Sequence, residues 1–390
     1  MARSIPCRWA MPNSSPRRAL PSAAARYSST KTKYSLCGGA APRYCQRMTV
    51  LNLMLGKKRG GLEQAALDYA EALQRAGEPT HSILAQGSWA AEAFTLAQQP
   101  FSTLSQRGGW DLLAAARLRK HIRAHSASVL LCHGNRALAL ALLARTRGVK
   151  IVAIGHNYHT KRFHRADACF AITEHGAQAL QANGIANARI HLMPNMVRPT
   201  DVPPRPAFRT PPRIGSMGRF VPKKAFDVYI RACAILKERG IAFEATLGGG
   251  GDEEPTLRQM LCDAGLEGTL TMPGWVADKQ AWFDALDVFV LPSHHEPFGI
   301  VLIEAMDQRL PVVATASEGP REIIQPGENG LLTPLGDAAA LADAIATLLA
   351  DPERARALGE AAKHDAGTLY SPDAMAARLR VALAAIRTGN

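Results

Sequence analysis

The sequence predicts an α/β protein made of two doubly wound domains that face each other across a cleft. Strand-like and helix-like runs alternate from Met48 onward, which is typical of parallel sheets covered by helices. A proline-rich stretch over residues 199–212 interrupts this alternation once, as a linker between two domains would. The chain has 390 residues, which is enough for two or three domains, and 47% of them are apolar, which is ordinary for a soluble globular protein.

The first series of elements begins at Met48 and precedes the proline-rich stretch. Between the first strand and the first helix lies a basic glycine turn that ends in Gly60 and Gly61. Apolar runs predict strands at 49–55, 129–132, 150–154, 168–172 and 189–193, and helical periodicity predicts helices at 62–75, 109–124, 136–146 and 174–183.

The second series follows the linker and has the same character. It predicts strands at 213–217, 242–247, 269–272, 287–291 and 312–315, and helices at 225–238, 254–264, 279–285, 300–308, 338–350, 353–365 and 372–387. We therefore expect one domain over 48–200, a second over 201–370, and a final helical segment over 371–390 that packs back toward the first domain. Ligands of such folds bind at the carboxyl ends of strands and between domains, so the cleft is the expected site.

Charge is distributed unevenly along the chain. The net charge is +13, with nine Lys and Arg and no acid in residues 1–47, 18 basic against 8 acidic residues in 48–200, and 19 against 25 in 201–390. A basic first half indicates an anionic partner, such as a lipid surface or a phosphorylated acceptor, or else ordinary surface charge. No nucleic-acid partner is expected, because no aromatic-studded basic strand or recognition helix accompanies the charge. No apolar run is long enough to span a membrane.

The amino-terminal residues and the cysteines bear on the compartment. Residues 1–47 have the composition of an organellar transit peptide, or Met48 is the true start; either way we expect a disordered extension. The seven cysteines include no Cys-x-x-Cys pair, which favours reduced, mostly buried thiols in the cytosol over a disulfide frame or a zinc site.

The most informative stretch is Pro-Ser-His-His-Glu-Pro-Phe-Gly-Ile-Val-Leu-Ile-Glu at residues 292–304. Seven residues separate Glu296 from Glu304, across an apolar run that contains Gly299. A strand-like run precedes it and a helix-like run follows, so we expect Glu296 in the strand-to-helix loop and Glu304 about two turns into the helix. Amides at a helix start can hold phosphate, and carboxylates accept hydrogen bonds from sugar hydroxyls. The alternative is that both carboxylates are solvated surface charges.

Two loops of the second domain carry further candidates. Gly218 and Arg219 end a strand and Lys224 precedes a helix, so the two cations can neutralise a diphosphate, unless they are solvated loop residues. The glycines at 248–251 form either a plain turn or a phosphate contact. The segment Gly274-Trp275-Val276 either presents backbone groups to a nucleobase or contains a packed tryptophan.

In order and spacing, a set of these residues resembles the retaining glycosyltransferases of family 4 (glycosyl transferases group 1). The set is Gly60-Gly61, His156, Pro194-Asn195, Gly218-Arg219, Lys224, the glycines at 248–251, Gly274, Glu296-Pro-Phe-Gly299, Glu304 and Glu318-Gly-x-x-Glu322. The resemblance covers about residues 48–388. It implies the GT-B fold, in which two Rossmann-like domains face each other.

The resemblance also implies roles for these residues. Glu296 is expected to bind donor-sugar hydroxyls and align the anomeric carbon, and His156 to lie near the reacting sugar. Arg219 and Lys224 are expected to stabilise the leaving nucleoside diphosphate. Donor contacts are expected at Gly60, Gly61, Gly218, Val276, Pro297, Phe298, Gly299 and, on the ribose, Glu304. The sequence departs from the family at Ala225, where glycine is common.

The activity implied by the resemblance is transfer of a hexose, with retention, from a UDP- or GDP-sugar. The acceptor would be lipopolysaccharide core or another lipid-linked glycan of the cell envelope. No cofactor or metal is expected, since no Asp-x-Asp occurs and the two cations can take a metal's role. Same-face attack and double displacement through Glu296 both remain open. The competing functions are a GT-B-like epimerase or phosphorylase and a noncatalytic sugar-nucleotide-binding protein.

The segment 106–124 bears on localisation and partners. Trp110, Leu112, Leu113, Leu118 and Ile122 are predicted to line one apolar face of a helix with arginines and a lysine around it, which can rest on an anionic inner leaflet. The alternative is an ordinary helix packed on the first sheet, with a basic outer face. We expect a cytoplasmic monomer or weak dimer, either free or peripheral on the inner face of the plasma membrane.

Overall fold

The computed structural model describes residues 49–57, 60–108, 111–156 and 160–389. Everything described belongs to one compact unit with two lobes, each built on a parallel sheet, so the predicted fold class is confirmed. The extension that was predicted to be disordered lies outside the described residues.

The first lobe has a seven-stranded sheet in the order β3-β2-β1-β4-β5-β6-β7, and every strand pair is parallel. Its strands are β1 (Thr49–Met54), β2 (Thr80–Ala85), β3 (Phe101–Leu104), β4 (Ala127–His133), β5 (Lys150–Gly155), β6 (Ala168–Ala171) and β7 (Ile190–Leu192). The sequence reading missed β2 and β3. The strand order reverses between β1 and β4, which creates a crevice at their carboxyl ends.

Helices cover both faces of this sheet. They are α1 (Gly61–Arg75), α2 (Trp89–Leu96), α3 (Leu112–Ala124), α4 (Gly134–Leu143) and α5 (Glu174–Ala182). Three of them begin at a capping side chain that accepts a hydrogen bond from a first-turn amide, namely Ser88, Asp111 and Thr173.

The second lobe has a six-stranded parallel sheet in the order β10-β9-β8-β11-β12-β13. Its strands are β8 (Arg213–Arg219), β9 (Glu244–Gly250), β10 (Leu270–Gly274), β11 (Val288–Leu291), β12 (Val312–Thr315) and β13 (Leu331–Thr333). The order reverses between β8 and β11. Its helices are α6 (Phe226–Glu238), α7 (Glu254–Asp263), α8 (Lys279–Asp284), α9 (Ile300–Asp307), α10 (Pro320–Ile323), α11 (Ala338–Ala350) and α12 (Pro352–Leu369). The short elements β13 and α10 were not predicted.

The segment between the lobes has no regular structure after β7, yet it is fixed to the second lobe. The guanidinium of Arg205 donates to the carbonyls of Phe283, Leu286 and Gln308 at 2.6–2.9 Å. Thr200 donates to the carboxylate of Asp307 through its amide and its hydroxyl. The proline-rich stretch is therefore docked along α8 and α9 and does not behave as a free tether.

The last helix, α13 (Pro372–Thr388), belongs to the core of the first lobe. It packs beside α1, and ion pairs join Arg75 to Asp373 and Arg387 to Glu78. Its buried face closes a cluster of first-lobe side chains, which on the helix comprises Met375, Leu379, Ala382, Leu383 and Ile386. Within the described residues, none of the helices is both long and apolar enough to cross a bilayer.

Candidate active site

The loop between β11 and α9 contains Glu296 and is built around Gly299. Gly299 precedes the first residue of α9 at φ 101°, a left-handed conformation that side chains other than glycine rarely adopt. This turn leaves the first amides of α9 without a side-chain cap. The helix begins at Ile300, where it was predicted to begin. Glu304 is its fifth residue and lies about one turn in, so the expectation of two turns was wrong.

Glu296 and Lys224 meet although 72 positions separate them. The Lys224 ammonium donates to Oε2 of Glu296. Lys224 lies in a single 3₁₀ turn, Pro222–Lys224, between β8 and α6. Glu296 is only 8% exposed, so the pair is largely shielded from water and its charges are strongly coupled. The structure thus brings together one predicted carboxylate and one predicted cation.

The Glu296 loop is braced by its neighbours. The Glu296 amide donates to Oε2 of Glu318 at 3.1 Å, and the Glu296 carbonyl accepts from the amide of Gly319 at 2.8 Å. The His295 amide donates to the Lys223 carbonyl at 3.1 Å. Any side chain at Gly319 would collide with the backbone of Phe298, 2.0 Å away. These contacts fix the loop from both sides.

Glu318 is also held by a histidine. Nδ1 of His295 lies 3.0 Å from Oε1 of Glu318. Burial alone would raise the pKa of Glu318, but hydrogen bonds from His295 and from the Glu318 and Glu296 amides outweigh it and lower that pKa. Glu318 therefore stays ionised and keeps its hold on the Glu296 amide.

Glu304 has a different cation from the one beside Glu296. Lys279, at the start of α8, donates to both of its carboxylate oxygens at 2.7 Å. Lys279 was not identified from the sequence, and no motif spacing indicates it. The two predicted carboxylates therefore belong to two separate ion pairs.

Arg219 ends β8 with an exposed side chain, and it forms no ion pair with the part of the chain that the structure describes. The glycines at 248–251 lie beside this strand end. A Cβ on Gly249 would lie 1.8 Å from the Gly218 carbonyl, and one on Gly251 would lie 2.4 Å from that of Phe220. Gly249 and Gly251 therefore allow close approach to the β8–α6 loop. Gly218 itself has Phe226 as neighbour, 3.1 Å from the position of a Cβ.

Ala225 has a left-handed backbone, with φ 50° and ψ 43°, immediately before α6. An L-residue with a Cβ pays a steric cost in this conformation and glycine does not. The departure from the family's common glycine therefore introduces strain next to Lys224.

His156 follows β5 and lies in a line of hydrogen bonds that runs into the first lobe. Its Nε2 is 3.2 Å from Nδ1 of His133, and Nε2 of His133 is 2.7 Å from Oδ1 of Asn52. The Asn52 amide nitrogen donates to the Ala66 carbonyl at 2.8 Å, which can only accept. Asn52 Oδ1 must therefore face His133 as the acceptor.

This orientation sets both histidine tautomers. His133 donates from Nε2 to Asn52 and accepts at Nδ1, so His156 must donate from Nε2 and keep the lone pair on Nδ1. Burial lowers the pKa of His156 to about 4, and burial together with His156 lowers the pKa of His133 well below its usual value. Both rings are neutral at pH 7.

Two first-lobe glycines predicted for donor contact lie where the lobes meet. A Cβ on Gly61, the first residue of α1, would lie 3.4 Å from Cδ1 of Ile300 on α9. Gly60 precedes it in extended backbone, beside the Glu63 carboxylate. Glu63 is buried, and burial raises the pKa of its carboxyl group. A hydrogen bond from the amide of Glu63 itself lowers that pKa by less, so the net shift is upward. Glu63 was not singled out from the sequence, although it lies only two residues after Gly61.

A carboxylate of the second lobe binds a helix of the first. Both oxygens of Glu322 accept from amides at the start of α5, Glu174 at 2.7 Å and His175 at 2.8 Å. Pro297 also lines a narrow gap with Gly155 and Thr173. The carboxyl ends of the two sheets therefore face each other, with the Glu296 loop at the boundary.

Two further residues that were predicted to contact the donor, Val276 and Phe298, lie in the second lobe. Val276 packs against Gly248, where a Cβ would lie 2.6 Å away, and Phe298 is buried edge-on against Tyr370. Trp275 is 61% exposed, so a packed tryptophan is the wrong interpretation.

The single apolar face predicted for α3 is also wrong. Leu118 and Ile122 are buried in the core, whereas Leu112 and Leu113 are 69% and 70% exposed. Trp110 lies outside the described residues. The helix packs on the sheet with one face, as the alternative interpretation required, and the two exposed leucines lie in its first turn.

Comparison with known proteins places this geometry in a family. The model of the glycosyl transferases group 1 matches residues 197–365, and that of glycosyltransferase family 4 matches residues 59–201. The lipopolysaccharide core biosynthesis glycosyltransferase LpsE of Rhizobium meliloti is 42% identical over 140 residues, which cover 36% of this chain and 40% of LpsE. The same organism's LpsD, described with the same role, is 26% identical over 84% of this chain and 96% of its own length.

A solved structure shows the same fold. HepE of Anabaena, in complex with UDP, superposes with a TM-score of 0.75 and 20% identity over 86% of this chain and all of HepE. Both lobes, and the sheets whose carboxyl ends face each other, therefore correspond to a known architecture. The chain belongs to the glycosyl transferases of group 1 and has their two-lobed GT-B fold.

Proposed function

We propose that this protein transfers a hexose from a UDP- or GDP-sugar to a glycan acceptor, with retention at the anomeric carbon and without a metal. The observation that carries the proposal is the Lys224–Glu296 pair at the β8/β11 reversal. An ammonium, which can bind a phosphate, lies there beside a carboxylate, which can accept from sugar hydroxyls, and doubly wound sheets bind nucleotides at such a reversal. HepE binds UDP on the same fold, which supports a nucleotide donor.

The proposed chemistry follows from where charge develops. Breaking the bond between the sugar and the diphosphate leaves negative charge on the departing oxygen. Lys224, the exposed Arg219 and the uncapped amides of α9 can stabilise that charge, while Glu296 accepts hydrogen bonds from sugar hydroxyls. Without donor, Lys224 and Glu296 satisfy each other; a bound donor supplies a new partner for each.

His156 is proposed to act as a neutral hydrogen-bonding group. Its Nε2 is already used toward His133, so Nδ1 remains available to accept from a sugar hydroxyl. The ring cannot serve as an imidazolium at neutral pH, because burial lowers its pKa to about 4. His156 is therefore proposed to position the sugar and not to donate a proton.

The acceptor is proposed to be a glycan of the cell envelope. This rests on LpsE and LpsD, which are named for lipopolysaccharide core biosynthesis. A lipid-linked acceptor would bring the protein to the inner face of the membrane. Incubation with labelled donor and isolated core oligosaccharides, followed by mass spectrometry of the products, tests the acceptor. NMR of the new anomeric proton reports whether configuration is retained.

The donor and the site residues are tested together by donor hydrolysis. UDP-, GDP- and ADP-sugars are screened with the wild type, with and without EDTA. We expect hydrolysis of the sugars of one nucleotide class, at a rate that EDTA does not change. We expect Lys224→Ala and Glu296→Ala each to lower turnover about 100-fold or more. Lys223→Ala is the matched control, because its side chain is exposed and its carbonyl, which binds His295, is retained. Equal turnover in all three variants would refute the assignment of the site.

A further inference from the structure

A groove of about 750 Å³ lies between the edge strand β3 and helix α3. The groove is part of the first lobe and lies at the edge of its sheet. Strands β2 and β1 lie between β3 and the point, between β1 and β4, where the strand order reverses. The volume lies within the range of small-molecule sites, so a phosphorylated sugar or a lipid headgroup would fit. We call this feature the α3 groove.

Among the described residues, the α3 groove carries more positive than negative charge. Arg107, Arg117 and Lys120 line it, and none of the three forms an ion pair with any residue in the described ranges. Asp111 also lines the groove, but its oxygens already accept from the Arg107 amide at 2.9 Å and the Ala114 amide at 2.8 Å. Three cations against one carboxylate leave a net positive charge, which attracts an anion.

Histidines and hydroxyls form the floor beside these cations. His125 stacks on His81 with ring centres 4.0 Å apart, and on His121 at 6.2 Å. Nε2 of His81 lies 2.9 Å from Oγ of Ser102, which also lines the groove. Burial, with smaller contributions from charged neighbours, lowers the pKa values of His81 and His121, so both are neutral at pH 7 and an anion would favour their protonation.

The edge of the α3 groove is apolar. Leu113 lines it and is 70% exposed, and Leu112 beside it is 69% exposed. Exposed leucines next to exposed arginines match the two parts of an amphiphile, an acyl chain and an anionic head.

We propose that the α3 groove is a second binding site, separate from the donor site, that holds a phosphate group. The phosphate belongs either to a lipid headgroup or to a soluble phosphorylated molecule. The Arg117 and Arg107 guanidiniums and the Lys120 ammonium bind its oxygens, with the hydroxyls and histidine N–H groups as further donors. The site does not depend on the proposed transfer reaction.

Calorimetric titration with inorganic pyrophosphate tests the site. The titration uses the full-length protein with the substitution Lys224→Ala, which weakens the phosphate contact proposed for the donor site. Adding Arg117→Gln is expected to weaken binding about tenfold, since one charge-assisted contact is lost. Arg123→Gln is the control, because Arg123 is exposed on the same helix and does not line the groove. Equal loss in both variants, or no measurable binding, would overturn the proposal.

Flotation with vesicles identifies the source of the phosphate. Phosphatidylcholine vesicles are compared with vesicles containing about one-third phosphatidylglycerol, whose negative surface attracts basic segments. A lipid headgroup is assigned if the protein floats only with the anionic vesicles and if Arg117→Gln, but not Arg123→Gln, abolishes that flotation. Pyrophosphate binding without flotation assigns a soluble ligand. Flotation reduced equally by both substitutions reflects general charge and contradicts a built site.

Discussion

Ala225 shows how one side chain can strain a loop that holds a proposed catalytic cation. Its left-handed backbone costs a residue with a Cβ about 1–2 kcal/mol, which glycine avoids at the expense of about 0.5–1 kcal/mol of chain entropy. We expect Ala225→Gly to raise the free energy of unfolding by about 0.5–1 kcal/mol. Denaturant titration of the wild type and of Ala225→Gly measures the difference in the free energy of unfolding. Ala232→Gly, inside helix α6, should lower the free energy of unfolding. A similar loss for Ala225→Gly would show that the backbone at Ala225 is not strained.

His133 links stability to pH. Its pKa is held well below normal in the folded protein, so the unfolded chain binds more protons once the pH falls below about 6.5. Stability contributed by the neutral ring is complete above that pH and is lost as the pH falls. We expect the wild type to lose about 2 kcal/mol more than His133→Gln between pH 7 and pH 5.

The measurement for His133 is denaturant unfolding at both pH values. His364→Gln, at an exposed histidine, is the control and should keep the wild-type dependence on pH. If His133→Gln has the same pH dependence as the wild type, the buried neutral tautomer is wrong.

At the scale of elements, Glu322 joins α5 of one lobe to the α10 region of the other. Its carboxylate satisfies two amides that a helix start leaves free, and it lies at the positive end of the helix dipole. We expect Glu322→Ala to lower stability by about 1 kcal/mol. It should also speed hydrogen exchange at the Glu174 and His175 amides, because the lobes separate more often. Glu328→Ala, an exposed acid nearby, should change neither quantity.

Helix α13 and the first sheet form one packing unit. Leu379 is fully buried in the cluster that α13 closes, whereas Val381 on the same helix is 74% exposed. We expect Leu379→Ala to cost about 2–5 kcal/mol and Val381→Ala less than about 0.5 kcal/mol. Hydrogen exchange should locate the loss for Leu379→Ala in the first lobe. Faster exchange confined to the second lobe would contradict this packing.

At the scale of the whole molecule, the strongest sequence signals were those of local pattern. Long apolar strands such as β4 and the Glu296–Glu304 motif follow from short stretches of chain. Strands β2 and β3 were missed because each mixes threonine, serine or histidine into a run of only six or four residues. The left-handed backbone of Gly299, which leaves the first amides of α9 without a side-chain cap, depends on backbone angles that composition does not reveal.

Contacts between distant segments lie beyond any local pattern. Lys279 forms its ion pair with Glu304 from another helix. The hydrogen bonds that join Asn52, His133 and His156 link the adjacent strands β1 and β4 to the residue that follows β5. The apolar face predicted for α3 failed for a different reason. At 100° per residue, Ala114, Ala115, Leu118 and Ile122 share one face and are buried, whereas Leu112 and Leu113 fall outside that face and are exposed. Helical spacing applied to each residue would have separated the two sets.

The position of α13 has a consequence for how the protein is made. On the ribosome, the strands of the first lobe emerge before the second lobe, but the side chains from Met375 to Ile386 that cover one face of its sheet are translated only after the second lobe. During synthesis of the second lobe, a nascent chain therefore exposes Val50, Leu73 and Phe170 to water and to other chains. Protection from aggregation and proteolysis begins only when α13 leaves the exit tunnel and docks.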